Sequence, residues 1–306
     1  MKNEIHVMQK LAIIGPTASG KSDLAISIAK KIDAYILSID SLSIYKEIDV
    51  VSAKPSVDEL SEVKHYGINE IDPDAHFSVD TFISLYKKVL LECEKDSKNL
   101  IIVGGTSFYL KSLMQGLSEL PNITDSITKS AKIELSNLES VYNLLKKQDP
   151  LYMENISSTD SYRIEKALLI YRASDLTPSE WFKQHPPKSI IKNLDIFNID
   201  VSRDLLRQRI AKRTKKMLAM GLIDEVSMLE KKYTRLPNSM NSIGVVEVLE
   251  YLDGKVSKEM MLENISIHTA QLAKRQQTFN RTQFENIVSA PLEELPKIIL
   301  STLDKY

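Results

Sequence analysis

Apolar residues in the first third of this chain are gathered into short unbroken runs. Residues 10–14 (Lys-Leu-Ala-Ile-Ile), 34–39 (Ala-Tyr-Ile-Leu-Ser-Ile) and 100–103 (Leu-Ile-Ile-Val) read as buried strands of a parallel sheet. After the first of them, Leu24, Ala25, Ile28, Ala29 and Ile32 recur at the spacing of one helix face. Between about Gly116 and Leu194 the strand-like runs stop and apolar residues fall at helical spacing, which predicts polar helices such as one over 133–147. The segment after Val288 reads as a short helix closing the core. The pattern predicts an α/β protein with a parallel sheet core, helices on both its faces, and a mostly helical insertion; the octet at 15–22 between the first strand and its helix makes that core P-loop NTPase-like. The core takes residues 1–115 and 195–306, and the insertion 116–194.

Composition narrows the classes without naming one. The 306 residues are 43% hydrophobic and 26% charged, as in an ordinary globular protein, and the formal net charge is -1. A single cysteine, Cys93, forbids an internal disulfide and suits a reducing compartment. No apolar run approaches the roughly 20 residues that span a bilayer, and the first ten residues are polar and mixed in charge. A cytoplasmic protein, acting as a monomer and away from membranes, is expected. His65, His76 and Cys93 lack metal-site spacing. Near-neutral charge leaves nucleic acid open, because local clustering decides that question.

The chemistry enters at the end of the first strand. Gly15-Pro16-Thr17-Ala18-Ser19-Gly20-Lys21-Ser22 satisfies G-x-x-x-x-G-K-[ST], and it lies between a strand and a helix as a phosphate cradle requires. Its glycines let backbone N–H groups turn inward, the helix start adds partial positive charge, Lys21 adds a full one, and the Ser22 hydroxyl can ligand Mg²⁺. The second strand ends in Asp40-Ser41, at the edge of the sheet where ligands sit. Asp40 there can hold Mg²⁺, act as a general base or cap the following turn. Lys46 and Lys54 bring two more bases nearby. The 100–103 strand ends in Gly104-Gly105-Thr106, where a nucleotide-hydrolysing P-loop protein usually has an acid for Mg²⁺. This favours a substrate held close to the backbone over nucleotide hydrolysis.

Residues 203–217 hold seven basic residues and one acid. Arg209 and Arg213 are four apart and share a face. With Lys274-Arg275, this run concentrates positive charge in a neutral chain, as a phosphate attractor would. Trp181 and His185 read as packing and surface.

Taken together, GPTASGKS, the DS-x-x-x-Y of 40–45, the AKP of 53–55 and the GGT-x-x-Y of 104–109 resemble the tRNA dimethylallyltransferase family. Asp149-Pro150, residues 162–168, the Arg203–Arg213 run with Met217, Gly221-Leu222 and Glu225-Val226, and AKRQ-x-T-F at 273–279 resemble it in the same order. The resemblance runs from about residue 11 to 281. It implies transfer of a dimethylallyl group from dimethylallyl diphosphate to N6 of adenosine 37 in the tRNA anticodon stem-loop, with Mg²⁺ as cofactor. It further implies that the P-loop and Arg213 hold the diphosphate, with Arg203 and Arg209 in support. Lys21, Asp40, Thr106 and Arg213 then carry the catalysis, with Asp40 as general base. Asp40, Ser41, Leu42, Ser43, Thr106, Tyr162, Arg163, Lys166, Lys274 and Arg275 contact the RNA, and the helical insertion grips the stem-loop. Serine stands at 43 where many members have glutamine, Lys166 replaces an arginine, and Phe279 replaces a tryptophan. A small-molecule kinase, with ATP in the same loop and Asp40 as base for a hydroxyl, is the alternative.

Overall fold

A computed structural model describes residues 8–304. Six parallel strands, β1 (Lys10–Ile14), β2 (Ala34–Ser38), β3 (His65–Tyr66), β4 (Asn99–Gly104), β5 (Asp195–Asp200) and β6 (Val288–Pro291), form one sheet in the order β3-β2-β4-β1-β5-β6. β1 and β4 are buried on both faces, which is why they read as continuous apolar runs. Leu11, Ile13, Ile36, Ile101, Val103 and Phe197 pack against the helices Lys21–Ile32 and Leu295–Leu303. The alternate residues Ala12, Ile14, Leu37 and Ile102 are equally buried, and the helix Val79–Asp96 packs on β2 and β4.

The chain divides into two compact units. The larger comprises the chain up to Lys111 and from Asn193 onward, and the smaller is Ser112–Lys192. The smaller unit is helical, with a core of Ala131, Val141, Leu145, Met153, Ile164, Ala167 and Leu168. Its buried Asp149 serves two helix starts at once. Oδ1 accepts from Tyr152 N and the Ser179 hydroxyl, while Oδ2 accepts from Ser179 N, so one carboxylate caps both Pro150–Met153 and Pro178–Gln184. Trp181 stacks on His185 and donates from Nε1 to Glu119 O. Among the described residues no helix is long and apolar enough to cross a membrane.

Two expectations need correction. The helix expected over 133–147 is two helices, Asp125–Glu134 and Leu138–Gln148, joined by a 3₁₀ turn. Asn137 leaves helical geometry, and its side chain accepts from Ser140 N, starting a new helix where apolar periodicity alone shows none. The segment after Val288 begins as strand β6 before the helix Leu295–Leu303. β6 is a four-residue edge strand ending in proline, and only Ala290 of it is buried.

Candidate active site

All the site residues of the larger unit that the sequence singles out near the loop gather at the carboxyl edge of β1, β2 and β4. After β1 the chain turns through Ala18 (φ 66°) and Gly20 (φ 94°), both left-handed, before the helix Lys21–Ile32 begins. Within the loop Thr17 N donates to Gln276 Oε1 and Ser19 N to Pro16 O, so it is the N–H groups at the start of the helix that are left for the concavity. Gly20 is the position that tolerates the left-handed turn without strain. The loop is braced from the basic helix Arg203–Ala219, whose Arg209 donates to Ser19 O at 3.1 Å. One turn further along, Arg213 donates to Ser52 O at 3.2 Å. Arg203 is exposed at the start of this helix and makes no part of the cavity.

Lys21, Ser22, Asp40, Ser43, Ser52 and Arg213 line a small cavity of about 80 Å³. Thr17, Asp40, Ser52 and Arg213 also line a larger one of about 300 Å³. There they meet Ser41, Leu42, Thr106 and the apolar side chains of Val51, Ile210, Met217, Ile265 and Leu272. The smaller space beside Asp40 is lined mostly by polar and charged groups, and the larger one combines an apolar wall of Val51, Ile210, Met217, Ile265 and Leu272 with polar side chains such as Thr214, Asn241 and Thr269. Burial pulls the Lys21 ammonium down to about 8; Asp40 partly offsets this and Arg213 adds to it. Burial also lowers Arg213, again opposed by Asp40. Two cations forced together in a desolvated pocket beside a single carboxylate are strongly short of negative charge.

Asp40 does cap a turn: Oδ1 accepts from Leu42 N at 2.9 Å and Ser43 N at 3.2 Å. Oδ2 takes no part in that turn, so capping and chemistry are compatible. Ser41 N donates to Thr106 Oγ1 at 3.3 Å, tying the end of β2 to the Gly-Gly-Thr loop after β4. Ser43 is buried and lines the smaller cavity rather than the larger one. Ser22 and Asp40 offer the smaller cavity the hard oxygen donors that Mg²⁺ prefers. Among the described residues no group of three or more His, Cys, Asp or Glu could hold a metal. The fit is therefore to an ion that draws most of its ligands from a bound phosphate and water.

Glu225 and Gln276 shape the site although sequence reasoning assigned them no role, and the two bases expected near it, Lys46 and Lys54, are engaged elsewhere. Glu225 is buried and accepts from the backbone N–H groups of Asp49, Val50 and Val51, fixing the turn that presents Ser52 to Arg213. Lys54 turns its ammonium inward onto Tyr45 O, Asp49 Oδ1 and Asn69 Oδ1, all at 2.6 Å, and so locks the loop instead of facing a ligand. Lys46 is paired with Asp72. Gln276, next to the expected Lys274 and Arg275, reaches the larger cavity. Lys274 and Arg275 themselves lie on the exposed side of the helix Lys258–Gln283, beside Thr278 and Phe279. Buried backbone acceptors and donors of this kind leave no periodic mark in the sequence.

Tyr162, Arg163 and Lys166 form an exposed patch on the smaller unit at the start of the helix Ser161–Ser174. Lys166 Nζ lies 5.4 Å from the Tyr162 ring centroid, and Arg163 pairs with the helix-capping Asp160.

Sheet order, loop geometry and cavity together define a protein of the P-loop class, with Lys21, Arg213 and the carboxylate of Asp40 at the end of the sheet where the cavities open. A profile described as IPP transferase matches residues 43–283. A tRNA dimethylallyltransferase of Sulfurimonas denitrificans is 69% identical over 97% of this chain and 100% of its own length. Its counterpart from a Sulfurovum species is 53% identical over 96% of this chain and 98% of its own. Among solved structures, a tRNA isopentenylpyrophosphate transferase of Staphylococcus epidermidis superposes with a TM-score of 0.71. It is 28% identical and covers 98% of this chain and 99% of that one. The same fold appears in a eukaryotic dimethylallyltransferase acting on tRNA, with a TM-score of 0.81 at 24% identity over 94% of this chain and 75% of that one. The chain belongs to the IPP transferase family.

Proposed function

We propose that this protein transfers a dimethylallyl group from dimethylallyl diphosphate to N6 of adenosine 37 in the tRNA anticodon loop, releasing diphosphate. The transferase activity itself is that of its close relatives. The observation that carries the detailed reading is the two-sided cavity around Asp40. On one side are the P-loop, Lys21 and Arg213, on the other a larger space bordered by Thr106, one wall of which is the apolar set Val51, Ile210, Met217, Ile265 and Leu272.

In this reading the diphosphate lies on the P-loop amides, between Lys21 and Arg213. The prenyl chain lies against Val51, Ile210, Met217, Ile265 and Leu272. The adenine is unstacked from the RNA and enters beside Ser41, Leu42 and Thr106. The N6 lone pair attacks the allylic carbon, the carbon–oxygen bond breaks, and its electron pair leaves with the diphosphate. Asp40 accepts the N6 proton. Lys21 and Arg213 are desolvated before the charge develops, so they stabilise the departing diphosphate without reorganising. Mg²⁺ bound by Ser22 and the diphosphate would supply further neutralisation of that leaving group. β4 ends in Gly-Gly-Thr without the acid that holds Mg²⁺ in nucleotide-hydrolysing P-loop proteins, which suits a loop that releases diphosphate instead of hydrolysing a nucleotide.

The smaller unit, with its exposed Tyr162, Arg163 and Lys166, grips the anticodon stem-loop in this reading. Lys274 and Arg275 add phosphate contacts from the larger unit. Stacking by Tyr162 and charge from the four cations are the means such a surface has for holding RNA.

The test is transfer of label from dimethylallyl diphosphate to an anticodon stem-loop RNA carrying adenosine 37, beside an A37→G control. Label on the first RNA only, and only with Mg²⁺, is expected. Consumption of ATP on a small acceptor with no label in RNA would instead reveal a kinase.

Lys21 gives a further expected result. Its ammonium titrates near 8 in the free protein, so it is charged below that pH and neutral above it. Bound diphosphate restores the charge, hence binding above pH 8 must take up a proton. KM for dimethylallyl diphosphate should rise by up to about ten-fold per pH unit above 8, while remaining flat from 6 to 7.5. A KM that stays flat to pH 9.5 would contradict this role for Lys21.

A further inference from the structure

The side chain of Gln276 spans the two glycine loops. Its Oε1 accepts from Thr17 N in the P-loop at 2.8 Å, and its Nε2 donates to Gly105 O after β4 at 3.1 Å. Both ends of one primary amide are thereby committed, and to backbone groups, which do not move independently of the loops that carry them. Thr17 belongs to the loop that cradles the diphosphate. Gly105 precedes Thr106, whose hydroxyl accepts from Ser41 N next to Asp40. Gln276 also lines the larger cavity together with Thr17, Asp40 and Thr106. Position 105 is built around this amide: a Cβ there would come within 2.3 Å of Nε2, although the backbone itself is not in the left-handed region. A Cβ at 105 would push this amide aside, so the contact with Gln276, and not the backbone's own conformation, is what glycine there permits.

We propose that Gln276 is a positioning residue that sets the distance between the diphosphate cradle and the acceptor side of the site. The inference rests on the transfer reaction proposed above. Attack on the allylic carbon needs the nucleophile and the leaving group held in line, and displacement by about 1 Å can cost about 100-fold in rate. The two loops end separate strands, β1 and β4, whose pairing stops at Ile14 and Gly104. Beyond that point the sheet no longer fixes their spacing, and the Gln276 amide bridges the gap. No other side chain of similar size offers an acceptor and a donor at this reach: asparagine is one methylene short, and glutamate would set a carboxylate oxygen against the Gly105 carbonyl.

The experiment is steady-state kinetics of Gln276→Met with dimethylallyl diphosphate and stem-loop RNA, alongside direct binding of inorganic diphosphate and of RNA. Because each loop still binds its own ligand, kcat is expected to fall about 30-fold, with both binding constants within about three-fold of the parent. A kcat within two-fold of the parent would overturn the proposal. So would a loss that appears wholly as weaker diphosphate binding, since Gln276 would then serve only the P-loop's own shape. Gly105→Ala gives the same answer if Gln276→Met does not fold. It displaces the amide from the other side and should lower kcat in the same way, whereas Gly105→Ala combined with Gln276→Ala should be no slower than Gln276→Ala alone. A double variant markedly slower than that single one would also reject the bridge. Absence of label transfer by the parent protein is a separate result, and it would remove the functional reading on which the proposal stands.

Discussion

Replacing Asp40 by asparagine is expected to lower dimethylallyl transfer by about 1,000-fold while leaving RNA affinity within about three-fold. The geometry makes this substitution unusually clean. Oδ1 of Asp40 accepts from the N–H groups of Leu42 and Ser43, and an asparagine can keep its carbonyl oxygen in that place. The turn after β2, and with it the Ser41 to Thr106 contact, therefore survives. What is lost is the group that takes the N6 proton, together with the only carboxylate among the residues lining both cavities. Loss of its charge leaves Lys21 and Arg213 facing each other without compensation, so diphosphate should bind no less tightly than to the parent. Single-turnover transfer and RNA binding measured on the same preparation separate the two effects. Equal loss of RNA affinity and rate would mean that Asp40 holds the nucleic acid and does no chemistry.

Replacing Glu225 by alanine should be the most damaging change to stability within the site's scaffold. Its carboxylate is buried and accepts three consecutive backbone N–H bonds, at 2.9, 2.7 and 2.9 Å. Charge-assisted bonds of this kind are about twice as strong as neutral ones, and each buried N–H left without a partner costs about 1–3 kcal/mol. Water entering the space vacated by the side chain recovers part of this, so a net loss of about 3–5 kcal/mol is expected. For a chain of this size, that corresponds to a melting temperature lower by about 10 °C. The loosened turn is the one that offers Ser52 O to Arg213, so transfer should fall as well, even at temperatures where the variant stays folded. Thermal melts of Glu225→Ala and Glu225→Gln test this. The glutamine keeps one acceptor and should lie between the alanine variant and the parent. A melting temperature unchanged by Glu225→Ala would show that the turn at 49–51 holds itself.

What could be read in the sequence were the features enforced by local chemistry. β1 and β4 are buried on both faces, so their apolar runs are continuous and their bounds were visible to within a residue. The P-loop was legible because its phosphate-binding geometry demands particular residue types at fixed spacing, and the strand before it and helix after it can be read independently. The placing of Arg209 and Arg213 on one face followed from helical periodicity alone; Arg209 does turn toward the P-loop at Ser19 O, and Arg213 toward Ser52 O beside it.

Tertiary structure decided the rest, for a common reason: a residue whose task is to meet a distant backbone group carries no local signature. β3 and β6 are two and four residues long and become strands only because β2 and β5 present them with unpaired ladders. Lys54 reads as a free base, yet three oxygens drawn from 45, 49 and 69 claim its ammonium. Lys274 and Arg275 draw the eye by charge, while their neutral neighbour Gln276 is the one that enters the cavity, because the turn of the helix points position 276 at Thr17 and Gly105. The sequence by itself determined the kind of ligand, a phosphate chain on a strand-loop-helix, since that recognition is built from contiguous residues. Only the fold determined how the two glycine loops are spaced, because the groups that hold them lie between 171 and 259 residues apart along the chain.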